Sequence, residues 1–191
     1  MSSFLGHALA GFTAYRCCHG GKHPPPRWAA IPFIGVAMAP DLDYLAVWLF
    51  GYAANPRISH SLVVALAMAA IVQRMTSRKG RAPLPFGGLL VAGVSHALLD
   101  FLVGAHAVPL FWPFDVGVTS PVGVLPSAGA LALGNIYLWR NLLIELGVLL
   151  PVCALLVAVC RDGPARCTLV WTLFVAPLWV VFLSWSVALS R

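Results

Sequence analysis

The chain has 191 residues, 60% hydrophobic and 9% charged, with a mean hydropathy of +0.88 and a formal net charge of +6. A water-soluble domain carries about 25% charged residues, so this composition excludes a globule coated in water and makes lipid the expected solvent. The twelve basic residues are scattered over several connections, a pattern that suits topology signals beside membrane segments and argues against a nucleic-acid partner.

Hydrophobic stretches fall at about 3–17, 28–50, 60–75, 84–104, 137–160 and 168–189, each long enough to span or nearly span a bilayer. They predict an all-α, polytopic membrane bundle of about six helices, forming one integral membrane domain over residues 1–191. The first stretch has no Lys or Arg before it; a cleavable signal would want that basic start, so a retained helix is expected. Gly20-Gly21 and Pro24-Pro25-Pro26 close the first stretch, Asn55-Pro56 the second, and Gly80 with Pro83 precede the fourth. Residues 105–136 are rich in Gly and Pro yet stay apolar around Val108–Phe114, and they are expected to lie at the interface or fold back over the helices. The five Cys residues (17, 18, 153, 160 and 167) include no C-x-x-C pair, which makes them apolar fillers in preference to a disulfide framework or zinc knuckle.

Basic residues alternate between connections: Arg16, Lys22 and Arg27 in the first, Arg57 alone in the second, then Arg74, Arg78, Lys79 and Arg81 in the third. The fourth has none before Arg140, and the fifth has Arg161 and Arg166. By the positive-inside rule the first, third and fifth connections are cytoplasmic and both termini lie outside.

The six acids are Asp41, Asp43, Asp100, Asp115, Glu145 and Asp162, and five of them fall in or near the outer halves of spans or the outer loops. A carboxylate inside a span costs about 2.5–3.5 kcal/mol, so it is rarely idle. Asp115 and Glu145 are open to a plain reading, neutralisation by a nearby arginine such as Arg57 or Arg140. His96 and Asp100 stand at i and i+4, one turn apart on one helix face; they suit either a hydrogen-bonded pair or two ligands of one ion. Asp41 and Asp43 would point about 200° apart in a continuous helix. They converge only if Pro40 breaks it, and close carboxylates repel unless a cation or a proton lies between them. With His7 and His60, these residues place six imidazole and carboxylate groups from four segments toward one side. Such a donor set suits zinc, manganese or iron, and shared carboxylates suit a dinuclear site. His19 and His23, beside Lys22, read as solvated, and His106 has no evident partner.

Gly6-His7, Pro40-Asp41-Leu42-Asp43, Ser59-His60-Ser61-Leu62, Ser95-His96 with Asp100, Pro109 and Trp112-Pro113 occur in this order over the first two-thirds of the chain. In these motifs the chain resembles the LexA-binding, inner-membrane-associated hydrolases, also called membrane-bound metal-dependent hydrolases. The resemblance implies a multi-helix inner-membrane protein with hydrolytic activity and with His7, Asp41, Asp43, His60, His96 and Asp100 as ligands of one or two divalent ions, zinc or manganese. Two departures stand out. Asn55-Pro56-Arg57 replaces a frequent His-Arg-Gly segment, and Tyr44 stands where a His sometimes follows the second Asp.

The leading functional expectation is metal-dependent hydrolysis of a phosphoester or other ester in a lipid or amphiphile at the non-cytoplasmic membrane edge. In it Asp41 and His60 serve catalysis, and Arg57 or Arg140 binds a phosphate. A proton- or metal-coupled transporter could use the same His/Asp cluster, although the acids gather on one side and no inverted halves are visible. A non-catalytic scaffold with the same groups tied up in hydrogen bonds is the third reading.

Overall fold

The computed structural model describes residues 3–18, 26–51, 57–77, 83–104, 106–121, 123–127, 134–162 and 171–189. His19, His23, Gly20-Gly21, Pro24-Pro25, Asn55-Pro56, Gly80 and Cys167 lie outside them, as do Lys22, Arg78, Lys79, Arg81 and Arg166 of the loop count.

Every hydrophobic stretch contains helix: α1 (Phe4–Cys17), α2 (Ala30–Met38) and α3 (Asp43–Phe50), α4 (Leu62–Thr76), α5 (Phe86–Val103), α6 (Ile136–Asp162) and α7 (Ala176–Leu189). Among the described residues there is no strand, only one isolated antiparallel bridge between Val108 and Val118. The fold is all-α. Phe86–Val103 and Ile136–Arg161 are long and apolar enough to cross a membrane, whereas α4 and α7 are apolar but shorter. At about 1.5 Å per residue the 26 residues of the second segment reach about 39 Å, beyond a hydrocarbon core of about 30 Å.

The second stretch is interrupted. Pro40 has no backbone N–H to continue the α-helical ladder, and residues Ala39–Leu42 wind as a 3-10 turn between α2 and α3. This break falls where Asp41 must leave the helix line.

Helix α1 packs against α2, α5 and α6; α5 also packs on α2 and α4, and α7 on α6. Small residues set the closest approach. A side chain at Gly11 would come within 2.8 Å of the Phe33 carbonyl and 2.9 Å of the Ala37 Cβ, so α1 and α2 meet almost backbone to backbone. The apolar core gathers around the fully buried Phe33, with Tyr15, Val36, Ala69, Leu89 and Ala92 against it. Ile31, Phe50, Phe174 and Val181 face outward and are more than half exposed. In water such faces would drive aggregation; in lipid they need no cover.

The Gly/Pro-rich stretch folds back onto the helix ends, in line with one of the two expectations for it. Leu62 N donates to Leu110 O at 3.0 Å, Val124 N and Leu125 N donate to Leu102 O at 2.7 and 3.1 Å, and Ser186 Oγ of α7 donates to Val124 O at 2.6 Å. Together these bonds roof one end of the bundle.

Candidate metal centre

Under that roof five side chains from separate segments converge: His7 of α1, Asp41 of the 3-10 turn, His60 before α4, and His96 and Asp100 of α5. All five are buried. Ligand atoms of His7, Asp41, His96 and Asp100 lie within 4.8 Å of one another. His60 Nε2 joins them at 3.2 Å from Asp100 Oδ2 and 3.7 Å from Asp41 Oδ1. His7 Nε2 is 3.5 Å from Asp41 Oδ2, and its ring stacks on His96 with centroids 3.8 Å apart. The i, i+4 pair meets as its spacing suggests, His96 Nε2 lying 3.6 Å from Asp100 Oδ2.

Local sequence explains how two of the rings are aimed. His96 Nδ1 lies 2.8 Å from Ala37 O. In the 3-10 winding that begins here, this carbonyl would look to residue 40 for its donor, and proline supplies none. A carbonyl can only accept, so His96 carries its proton on Nδ1 and presents a bare Nε2 to the cluster. His60 is set in the same way. Ser59 Oγ donates to Asp43 Oδ2 at 2.9 Å, which leaves it to accept from His60 Nδ1 at 3.0 Å. In the neutral ring its Nε2 is then also bare. Ser61, on the other side of His60, caps α4 by accepting from Val64 N at 3.3 Å. Each residue of Ser59-His60-Ser61 thus has a separate bond to make.

The result is a pocket of acceptors. Asp41 Oδ1, His60 Nε2 and His96 Nε2 are buried and have no hydrogen-bond partner among the described residues. Bare lone pairs facing carboxylate oxygens at 3.2–3.7 Å repel, and leaving them unsatisfied in a low-dielectric site is costly. A cation removes that cost, and the neutral-imidazole and carboxylate donor set is the one borderline divalent metals take. The residues present fit a metal ion.

Asp43 is turned elsewhere. Both its oxygens bind the Arg57 guanidinium, Nε donating to Oδ2 at 2.8 Å and Nη2 to Oδ1. Arg57 also stacks over the Tyr44 ring at 4.3 Å and donates from Nη1 to its hydroxyl at 3.2 Å. The residue that departs from the family pattern is therefore a clamp on the arginine. Burial works against the charge of Arg57, but its bonds to Asp43 outweigh that and hold its pKa above the usual arginine value. A His60–Ser59–Asp43–Arg57 chain of hydrogen bonds results, with Arg57 Nη2 also 3.8 Å from Asp41 Oδ1.

Glu145 of α6 is buried but outside the cluster. It accepts the Ser3 N–H with both oxygens, at 3.0 and 3.1 Å, while Ser3 Oγ accepts from Gly6 N. It thereby anchors the first turn of α1, on which His7 sits; a Cβ at Gly6 would clash with Glu145 Oε1. Asp115 is exposed, and Arg140 bonds to Asn141 Oδ1 at 3.1–3.2 Å. Neither joins the cluster.

These features define a helical membrane protein whose buried His/Asp group could hold a metal ion. The chain belongs to the YdjM inner membrane protein family, whose family model matches residues 1–189. That description establishes an inner-membrane family and does not extend to hydrolysis or LexA binding. No curated protein and no solved structure matches the chain.

Proposed function

We propose that the chain is a multi-pass inner-membrane hydrolase working with one or two divalent ions, zinc or manganese. His7, Asp41, His60, His96 and Asp100 would hold the metal, with Asp43 supporting it from the next layer. The observation that carries this reading is the convergence of buried imidazole nitrogens and carboxylate oxygens, with Asp41 Oδ1, His60 Nε2 and His96 Nε2 lacking a hydrogen-bond partner among the described residues. When bound, a divalent ion supplies Lewis-acid polarisation of an ester oxygen and a water acidic enough to react near neutral pH.

The chain's own residues do the rest. Asp43 and Ser59 fix the His60 ring so that Nε2 faces inward. Arg57, clamped by Asp43 and Tyr44, stands beside Asp41 as the group to bind and orient an anionic ester oxygen. The alternation of basic loops supports a site on the non-cytoplasmic side, where a phosphoester or other ester of a lipid or amphiphile would reach it.

A transporter would need polar groups continuing through the bundle. The same helices carry the apolar cluster around Phe33 at their other end, which favours hydrolysis. The test is an assay of purified, metal-supplemented protein in proteoliposomes on chromogenic phosphate and carboxylate esters, run beside a metal and proton flux measurement. Metal-dependent turnover lost in Asp41→Ala is expected. Full turnover in Asp41→Ala and His96→Ala would refute the hydrolase, and flux without turnover would install the transporter.

A further inference from the structure

The cluster opens on one side into two connected spaces. A small one of about 70 Å³ is lined by His60 and Asp100 together with Arg57, His106, Ala107 and Pro109. The last four also line a chamber of about 900 Å³, which continues to Tyr44, Val47, Trp112, Phe114 and Val116. The small space is thus a neck between the metal-binding groups and the chamber. Its rim and its far end differ in chemistry. The rim carries the Arg57 guanidinium and the exposed His106 imidazole, both able to donate hydrogen bonds to an anion. Beyond it the wall is chiefly aromatic and aliphatic, with Asp115 as its further acid.

We propose that this neck and chamber select the substrate: a phosphate ester whose phosphoryl group lies in the neck between Arg57 and His106, joined to one apolar body held in the chamber. The inference rests on the hydrolase reading and sharpens its substrate class. A neck of this size admits a compact anionic group. The chamber has the size of pockets that hold a drug-sized molecule, about 300–1,000 Å³, so it has room for an apolar body well beyond the phosphoryl group. The positive guanidinium at the rim favours an anionic phosphoester over a neutral carboxylic ester. His106 becomes a specificity-determining residue.

Non-hydrolysable phosphonates test this without relying on turnover. Methylphosphonate and hexylphosphonate are titrated by calorimetry onto the metal-supplemented protein in nanodiscs, with protein-free nanodiscs as the blank for partitioning into lipid. The hexyl compound should bind at least tenfold more tightly than the methyl one. Val116→Trp, which narrows the chamber, should reduce that preference. His106→Ala should weaken both compounds by a similar factor of about five. Equal affinity of the wild type for the two compounds would overturn the proposal, as would a hexyl preference indifferent to Val116→Trp. The two readings fail separately. Metal-dependent turnover without an alkyl preference would sink the substrate assignment alone, whereas alkyl-selective binding without turnover would sink the hydrolase and keep the chamber as a ligand site.

Discussion

The two ends of the helices α1, α2, α4 and α5 are built on opposite principles. At one end Tyr15, Phe33, Ala69, Leu89 and Ala92 pack an apolar core in which each contact satisfies itself. At the other, His7, Asp41, His60, His96 and Asp100 are equally buried, yet Asp41 Oδ1, His60 Nε2 and His96 Nε2 lack a hydrogen-bond partner among the described residues. The apolar end needs nothing from outside. The polar end could be completed by a cation, and the pairing teaches that packing and ligand binding are assigned to opposite ends of the same helices.

That contrast can be broken at either end. The largest effect belongs to the apolar end: Phe33→Ala opens a cavity where α1, α2 and α5 meet and should cost about 3–5 kcal/mol. Thermal unfolding in detergent would read the loss, while the metal bound per folded chain stays as in the wild type. Loss of metal in proportion to stability would show that the two ends are one unit.

At the polar end the sign should depend on the ion. Asp100→Asn removes one of two carboxylates whose ligand atoms are within 4.8 Å. Without metal it should stabilise the protein, because it relieves the buried like charge of Asp41 beside Asp100. With metal present it should destabilise, because a ligand is lost. Destabilisation in both conditions would mean that protonated imidazoles already do the compensating.

The smallest expected effect lies in the next layer. Ser59→Ala removes the hydroxyl that ties His60 Nδ1 to Asp43, and metal affinity should fall about tenfold. Competition with a fluorescent chelator would measure it, and an unchanged affinity would show that Ser59 does not orient His60.

Much of the site was legible in the residues, and the gaps have physical reasons. The spacing of His96 and Asp100 carries directly into their contact, because four residues always bring side chains onto one helical face. Pro40 announced the break that frees Asp41. No pattern could separate Asp41 from Asp43, since their roles depend on Arg57, which arrives from another segment and takes Asp43. Glu145 was visible only as a carboxylate open to arginine neutralisation, and its partner is the backbone N–H of Ser3, 142 residues away. A backbone partner leaves no mark in composition. His106 gave no signal either, because the roof that brings it to the neck is irregular and follows no hydrophobic period.

The fold followed the hydrophobic stretches closely. Segment boundaries at 60–75 and 84–104 fall within a few residues of α4 and α5, because Ser61 and Gly104 mark an N-cap and a left-handed C-cap.

The most direct test of the central claim is metal content by elemental mass spectrometry on detergent-purified protein, prepared without chelators and again after reconstitution. Wild type should be compared with Asp41→Ala and His96→Ala. One or two tightly held transition-metal ions per chain, lost in both variants, is the result this account predicts. No metal after purification and none taken up on reconstitution would contradict it, and would leave protons as the only means of reconciling those buried lone pairs.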